Sequence, residues 1–355
     1  MSKRKYRVAV VGGCGAWGRR YLKAYHEHPD TKIVALVDNA RERRQPFVER
    51  YEIENVFDTV EYLLKEDLPD IVSVIVPTGI NPDIVIACAE AGVKVVSCEK
   101  PIAIELSKAD EMIRICRERG TSLGAGTAYW EIPYLLDVAQ WVQEGNIGEL
   151  TKASMPGGIP REVSGAGCVQ FTFMRVMTGM EVVWVEGYTN PPEAADTDED
   201  SEAYGRIGLS GGIVCELIKT TAGYSPPCSL SVTGTNGKVW LVYDKPILIK
   251  GTGNEEMPQY PEFFQDELPD AFISVIERLM RAFDAGGEAQ CSGHDYRQAL
   301  EIAIALKLSA RQGHKRIILP LEDRSVRVRP NRYREFGGDK IGWNFIGMSE
   351  PPEVL

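Results

Sequence analysis

The first third of the chain alternates short, wholly apolar runs with amphipathic stretches. The apolar runs predict strands at 6–11, 32–37, 71–76, 94–98 and 122–126. The stretches between them predict helices at 16–26, 41–51, 60–64, 82–90 and 109–119. Strands that are apolar throughout and separated by helices belong to a parallel sheet, because the crossover helices bury both of its faces. Boundary chemistry agrees. Pro82 follows Asn81 as a first-turn proline after a capping residue, and Gly92 follows the last turn. Ser107 with Asp110 and Glu111 has the spacing of a capping box, and Gly120 closes that helix. An α/β domain with a doubly wound parallel sheet is therefore expected over 1–126.

From about residue 127 the pattern changes. A helix at 133–143 ends near Gly145, and longer strand-like runs joined by hairpin turns follow. The runs 202–209 and 213–219 flank Ser210-Gly211-Gly212, and 230–234 and 238–243 flank Asn236-Gly237. The Asn-Gly pair favours a tight hairpin because both residues accept positive φ. Two amphipathic helices, 270–285 and 295–312, come next, the second closed by Gly313. An α+β domain with a large, mainly antiparallel open sheet is expected over 127–323. The tail, 324–355, carries Arg324, Arg327, Arg329, Arg332, Arg334 and Trp343. It reads as an arm packed on the second domain, its arginines pairing with carboxylates of this or a neighbouring subunit. The six carboxylates between Glu193 and Glu202 read as a solvated loop rather than a metal site.

Composition narrows the function. The 355 residues suffice for two domains with their own cores, and 44% hydrophobic with 26% charged residues is a globular balance. A net charge of −11 repels nucleic acid and anionic lipid. No two of the eight cysteines have metal-ligand spacing, and several lie in apolar runs, so neither zinc nor a disulfide framework is expected. The basic start, 1–7, precedes an apolar run of only 8–11, too short for a signal peptide, and no stretch approaches a membrane span. A reducing, cytoplasmic setting is expected.

Two motifs carry chemistry. Gly13-Cys14-Gly15-Ala16-Trp17-Gly18 lies directly after the first predicted strand and opens the first helix. Glycines in that place allow a tight turn, approach of main chain to a pyrophosphate and close helix–strand packing, while the helix end presents N–H groups to phosphate. Asp38, with Asn39 beside it, ends the second strand twenty residues after Gly18, where a carboxylate accepts from adenosine ribose hydroxyls. The same charge repels a 2′-phosphate and favours NAD over NADP. Arg41, Arg43 and Arg44 follow closely and either soften that preference or form the solvated face of a helix. Glu99-Lys100-Pro101 follows the 94–98 strand, at the carboxyl edge where ligands bind in such sheets. A lysine there is either a surface residue in a turn or the group that orients a substrate hydroxyl and shuttles its proton.

Together with Pro77-Thr78, the run 91–96 leading into Glu99-Lys100-Pro101, Gly145-Asn146-Ile147-Gly148, the turn 234–237, Ser292-Gly293 and Leu319-Pro320-Leu321, these motifs resemble the Gfo/Idh/MocA oxidoreductases over about 6–323. The resemblance implies a Rossmann domain and NAD(P)-dependent redox chemistry on sugars, cyclitols or related compounds. It also implies a homodimer or homotetramer joined through the second-domain sheet. It makes Lys100 the leading catalytic residue and adds Pro77, Thr78, Asn81 and Glu99 to the cofactor-binding set. Asn81 stands where the family often has histidine. Val169 and Thr172, in a glycine-rich turn beginning at Gly165, match a histidine and an aspartate that assist proton transfer in many members. Valine accepts no proton, and threonine is no general base near neutrality. Tyr129, Glu131, Arg161 and Gln170 are the replacement candidates and, with Val169 and Thr172, make up the expected substrate-contact set, while His294 reads as a helix-start residue. Hydride transfer to or from a carbinol carbon is the leading expectation. An NAD-retaining lyase or epimerase using transient oxidation, and a non-catalytic sugar or dinucleotide sensor, are the alternatives.

Overall fold

A computed structural model of the chain describes residues 6–125, 132, 134–159, 161–219, 228–242, 245–265, 267–268 and 270–355. The chain divides into two compact units. The first comprises Met1–Thr127, Pro269–Arg297 and Asn331–Leu355, and the second Ala128–Leu268 and Gln298–Pro330.

The first unit is built on six parallel strands, β1 (Tyr6–Val11), β2 (Thr31–Val37), β3 (Asn55–Phe57), β4 (Ile71–Val74), β5 (Val95–Cys98) and β6 (Ser122–Ala125), in the order β3-β2-β1-β4-β5-β6. The order reverses between β1 and β4, so the loops leaving these two strands flank the crevice where ligands of doubly wound folds bind. Val8, Val10, Val72, Val74, Val95 and Val96 are fully buried, as strands covered on both faces require. Each contributes about 1.5–3 kcal/mol relative to exposure.

The crossover helices are α1 (Gly18–Glu27), α2 (Arg44–Tyr51), α3 (Val60–Glu66), α4 (Asn81–Ala91) and α5 (Leu106–Arg119). Strand and helix ends fall within a few residues of those expected, but two caps differ. Asn81 is the first residue of α4 and makes no capping bond, its amide being used elsewhere. Ser107 lies inside α5 and donates to Glu105, so no capping box forms there. The edge strand β3 is short and half polar, and it was not expected.

The second unit holds α6 (Leu135–Gln143) and a nine-stranded sheet. Its strands are β7 (Leu150–Met155), β8 (Val182–Asn190), β9 (Glu202–Leu209), β10 (Val214–Leu217), β11 (Cys228–Gly234), β12 (Gly237–Val242), β13 (Ile247–Lys250), β14 (Met257–Gln259) and β15 (Ile317–Ile318), ordered β14-β13-β12-β11-β7-β10-β9-β8-β15. Among the described strands of this sheet, only β7 and β10 pair in parallel. Both expected hairpins form, β9–β10 across 210–213 and β11–β12 across Thr235-Asn236. Between β7 and β8 the chain forms α7 (Ala166–Thr178). The expected glycine-rich turn at 165–172 is thus mostly helix, because Ala166 to Thr178 can bury apolar side chains around most of the helix circumference.

The helices expected at 270–285 and 295–312 are α8 (Ala271–Ala285) and α9 (Gly293–Arg311). Helix α8 belongs to the first unit, not the second. Phe272 packs against Trp17 and Tyr21, and Phe283 against Tyr6. A capping box does form at the start of α9, where Ser292 and Asp295 bond to each other's main-chain N–H groups. The arm also divides. Arg324, Arg327 and Arg329 pair with Glu301, Asp198 and Glu199 of the second unit, as expected. From Asn331 onward the chain belongs to the first unit, as α10 (Arg332–Phe336), α11 (Gly338–Ile341) and a 3-10 turn at Trp343–Ile346. Packing on the second domain therefore holds for its first part only.

Candidate active site

The glycine loop follows β1. Gly12 has φ +80, and a Cβ there would collide with the carbonyl oxygen of Ile75, just after β4. A Cβ on Gly18 would collide with the carbonyl oxygen of Gly12, and one on Gly13 would lie 2.5 Å from Leu36 Cδ1. These three glycines are required by the protein's own packing. Gly15 is different: a Cβ there would meet only the Gly12 oxygen, at 3.3 Å. Space in front of Gly15 is left by the fold and used by no side chain, and a pyrophosphate fits such a cradle. Helix α1 starts behind it at Gly18 with no acidic residue in its first turn. Gly12 was not among the expected residues, although a glycine doublet ending an apolar strand could have flagged it. The Trp17 ring is stacked with Phe272 at 6.3 Å, so it serves the packing of α8.

Asp38 is buried just beyond β2. One carboxylate oxygen accepts from Cys14 N–H of the glycine loop at 2.9 Å, and the other from Ala40 N–H at 2.9 Å. The carboxylate thereby ties the loop after β2 to the loop after β1. An ionised carboxylate has about four acceptor positions, so about half its capacity is left for ribose hydroxyls. Asn39 beside it is exposed. Of the three following arginines, Arg41 and Arg44 both pair with Asp58, and Arg43 pairs with Asp339 at 2.6 Å.

At β4 and β5 the other half of the edge is assembled. Pro77 precedes a 3-10 turn at Thr78–Ile80, and Thr78 is buried. Asn81 Nδ2 donates to the carbonyl oxygens of Glu99 and Pro101, at 3.1 and 3.3 Å, bracing the Glu99-Lys100-Pro101 turn from below. Its Oδ1 is buried and receives no hydrogen bond from the protein. Glu99 is buried and accepts from Tyr21 O–H at 3.0 Å. Burial raises its carboxyl pKa, against the opposing pull of Lys100, the Tyr21 hydroxyl and Arg334. Lys100 itself is half-buried at the carboxyl edge of β5.

In the second unit, Val169 and Thr172 lie on the buried side of α7, and the Thr172 hydroxyl donates to the Cys168 carbonyl of its own helix at 2.8 Å. Arg161 is exposed with φ 70, and Gln170 Oε1 is buried without a hydrogen-bond partner. Tyr129 and Glu131 lie outside the described residues. The acidic stretch is structural here. Asp200 accepts from Val163, Ser164 and Ser201 N–H and from the Ser164 hydroxyl, holding the turn before α7. Among the described residues no helix is long and apolar enough to cross a membrane.

Comparison with known proteins agrees with this geometry. Residues 6–127 match the GFO_IDH_MocA model, the oxidoreductase family with an NAD-binding Rossmann fold. Inositol 2-dehydrogenase of Rhizobium meliloti is 24% identical over 82% of this chain and 93% of its own. D-apiose dehydrogenase of Paraburkholderia graminis is 24% identical over 87% of this chain and 89% of its own. The structure of levoglucosan dehydrogenase in complex with NADH superimposes with a TM-score of 0.74 at 17% identity, covering 89% of this chain and all of that one.

Proposed function

Because the chain belongs to the Gfo/Idh/MocA oxidoreductase family, we propose that it moves hydride between a nicotinamide dinucleotide and a hydroxyl-bearing carbon of a sugar, polyol or cyclitol. The observation that carries this reading is the pair of openings in the first unit: the space before Gly15 and the unused acceptor capacity of Asp38. When bound, the dinucleotide supplies the hydride acceptor or donor at C4 of its nicotinamide ring. Gly13, Gly15 and the main chain through Ala16 and Trp17 to Gly18 hold the pyrophosphate, and Asp38 with Asn39 holds the adenosine ribose. Pro77, Thr78 and Asn81 belong to the edge beyond β4, where Asn81 braces the Glu99-Lys100-Pro101 turn.

Lys100 Nζ accepts the proton of the substrate hydroxyl as hydride leaves the carbon and passes it to solvent; in the reverse direction it returns a proton to the carbonyl oxygen. Glu99 holds the backbone and charge beneath it. In the second unit Arg161 and Gln170 are the candidates for substrate contact. Val169 and Thr172 take no part, since one is apolar and the other spends its hydroxyl on its own helix. That replacement favours one rival, a sugar or dinucleotide sensor without turnover. The second-unit sheet exposes Tyr188, Ile247 and Met257, and a homodimer or homotetramer joined through it would cover them.

The test uses protein freed of endogenous nucleotide, supplied with NAD and a panel of polyols, aldoses and inositols. Reduced-nicotinamide absorbance and product mass are followed together. A dehydrogenase yields both signals with at least one compound. Product without net absorbance change points to an NAD-retaining lyase or epimerase, and binding without either signal to the sensor.

A further inference from the structure

Arg43 stands at the rim of the candidate adenosine site. One guanidinium nitrogen lies 3.4 Å from the carbonyl oxygen of Cys14, the residue whose N–H is held by Asp38. An arginine so placed is the usual partner for the 2′-phosphate of NADP. In this chain its charge is already taken. The other guanidinium nitrogen donates to Asp339, 296 positions away in sequence, at 2.6 Å. The Arg43 side chain is 14% exposed and the Asp339 side chain 50%, so the arginine is held in place while the carboxylate stands open to solvent.

The arm builds this contact rather than brushing past it. The Trp343 ring lies against the guanidinium, 5.3 Å from its centroid, and its indole N–H donates to Asp339. Gly338 packs under that ring so closely that a Cβ would lie 2.6 Å from it. Gly337 abuts Pro77 on the opposite rim, and the last residues are tied down by Arg19 donating to the Glu353 carbonyl and Tyr51 to the Leu355 carbonyl. Burial raises the Asp339 pKa against the pull of Arg43, and the Asp38 carboxylate adds to the rise, so two carboxylates act on the same small volume.

We propose that Asp339, delivered by the C-terminal arm, is a specificity-determining residue that occupies Arg43 and so excludes the 2′-phosphate of NADP. The inference rests on the dinucleotide-binding reading above. Asp38 disfavours that phosphate by its own charge, and Asp339 removes the one arginine that could compensate, since Arg41 and Arg44 are held by Asp58. Discrimination is thus shared between two distant segments of the chain.

The test is calorimetric titration of nucleotide-free protein with NAD and with NADP, read as the ratio of the two Kd values, which cancels contacts common to both. Asp339→Asn keeps an acceptor for the Trp343 N–H and removes the charge. The ratio should move towards NADP by about tenfold to a hundredfold, the worth of one charge-assisted hydrogen bond. Adding Arg43→Ala to that variant should abolish the gain, because the shift depends on the freed arginine. An unmoved ratio in Asp339→Asn, with NAD still bound, overturns the inference and leaves the cofactor reading standing. A gain in Asp339→Asn that survives the added Arg43→Ala overturns it as well, because the shift would then not come from Arg43. Failure of wild type to bind either nucleotide overturns the cofactor reading itself.

Discussion

Two aspartates, one in each unit, are held by main-chain N–H groups and have opposite prospects. Asp38 accepts from two, Cys14 and Ala40, one on each oxygen. Asp200 accepts from three, Val163, Ser164 and Ser201, and from the Ser164 hydroxyl besides. The first carboxylate keeps about half its acceptor capacity, and the second has spent it. Residue type is the same in both, so the count of donors tells a ligand-facing acid from one that shapes a turn. The same count sorts other polar groups of the expected site. Thr172 spends its hydroxyl on its helix, whereas Asn81 and Gln170 each keep a buried carbonyl oxygen without a partner.

The largest effect that would sharpen the contrast concerns Lys100. Lys100→Met should lower kcat by about 10²–10⁴-fold, the value of general acid–base help, with the NAD Kd little changed. Turnover equal to wild type would remove Lys100 from the chemistry. Next comes Asp200→Ala, which strips the acceptor from several buried donors and should cost about 2–4 kcal/mol. A fall of several degrees in Tm with an unaltered NAD Kd is the expected calorimetric result. Weakened NAD binding in folded protein would break the contrast from the second unit's side.

Asp38→Ala should show the reverse. NAD affinity should fall by about 1–3 kcal/mol, and NADP affinity by less, because the lost charge had opposed the 2′-phosphate. Equal losses for both nucleotides would place Asp38 with Asp200 as a purely structural acid. The smallest effect is a pH dependence. The folded-state pKa of Glu99 is raised by burial, so the folded protein binds more protons than the unfolded chain in a window that starts near the ordinary glutamate value, about 4.3, and extends upward. Stability from this group therefore declines as pH rises through that window. Glu99→Gln removes the decline, so the variant's Tm should gain on wild type between pH 4 and pH 8. A constant difference across that range would show that Glu99 does not titrate as described.

The first unit was largely legible in the sequence, because its function is carried by main chain and by residues at the ends of strands. The alternation of buried runs placed β1, β2, β4 and β5, and with them the glycine loop, Asp38 and the Glu99-Lys100-Pro101 turn. Gly12 escaped because its need arises from Ile75, on a different strand's exit loop. Helix α7 escaped because its first turn carries the glycines that usually end helices, while its apolar residues are spread around nearly the whole circumference. Helix α8 was expected in the second unit because it follows that unit in sequence. Only Phe272 and Phe283 meeting Tyr6, Trp17 and Tyr21 reassign it. The Arg43–Asp339 pair lay furthest from view. Each partner reads as a surface charge in its own surroundings, and no periodicity links positions 296 apart.

The central claim is that hydride passes directly between a carbinol carbon and the nicotinamide. It is tested most directly with a polyol, aldose or inositol from the panel that carries deuterium on the reacting carbon, incubated with NAD and nucleotide-free protein. The account predicts reduced nicotinamide bearing one deuterium, by mass spectrometry, in amounts equal to the oxidised product. Reduced nicotinamide without deuterium, or none formed from any member of the panel, would contradict it.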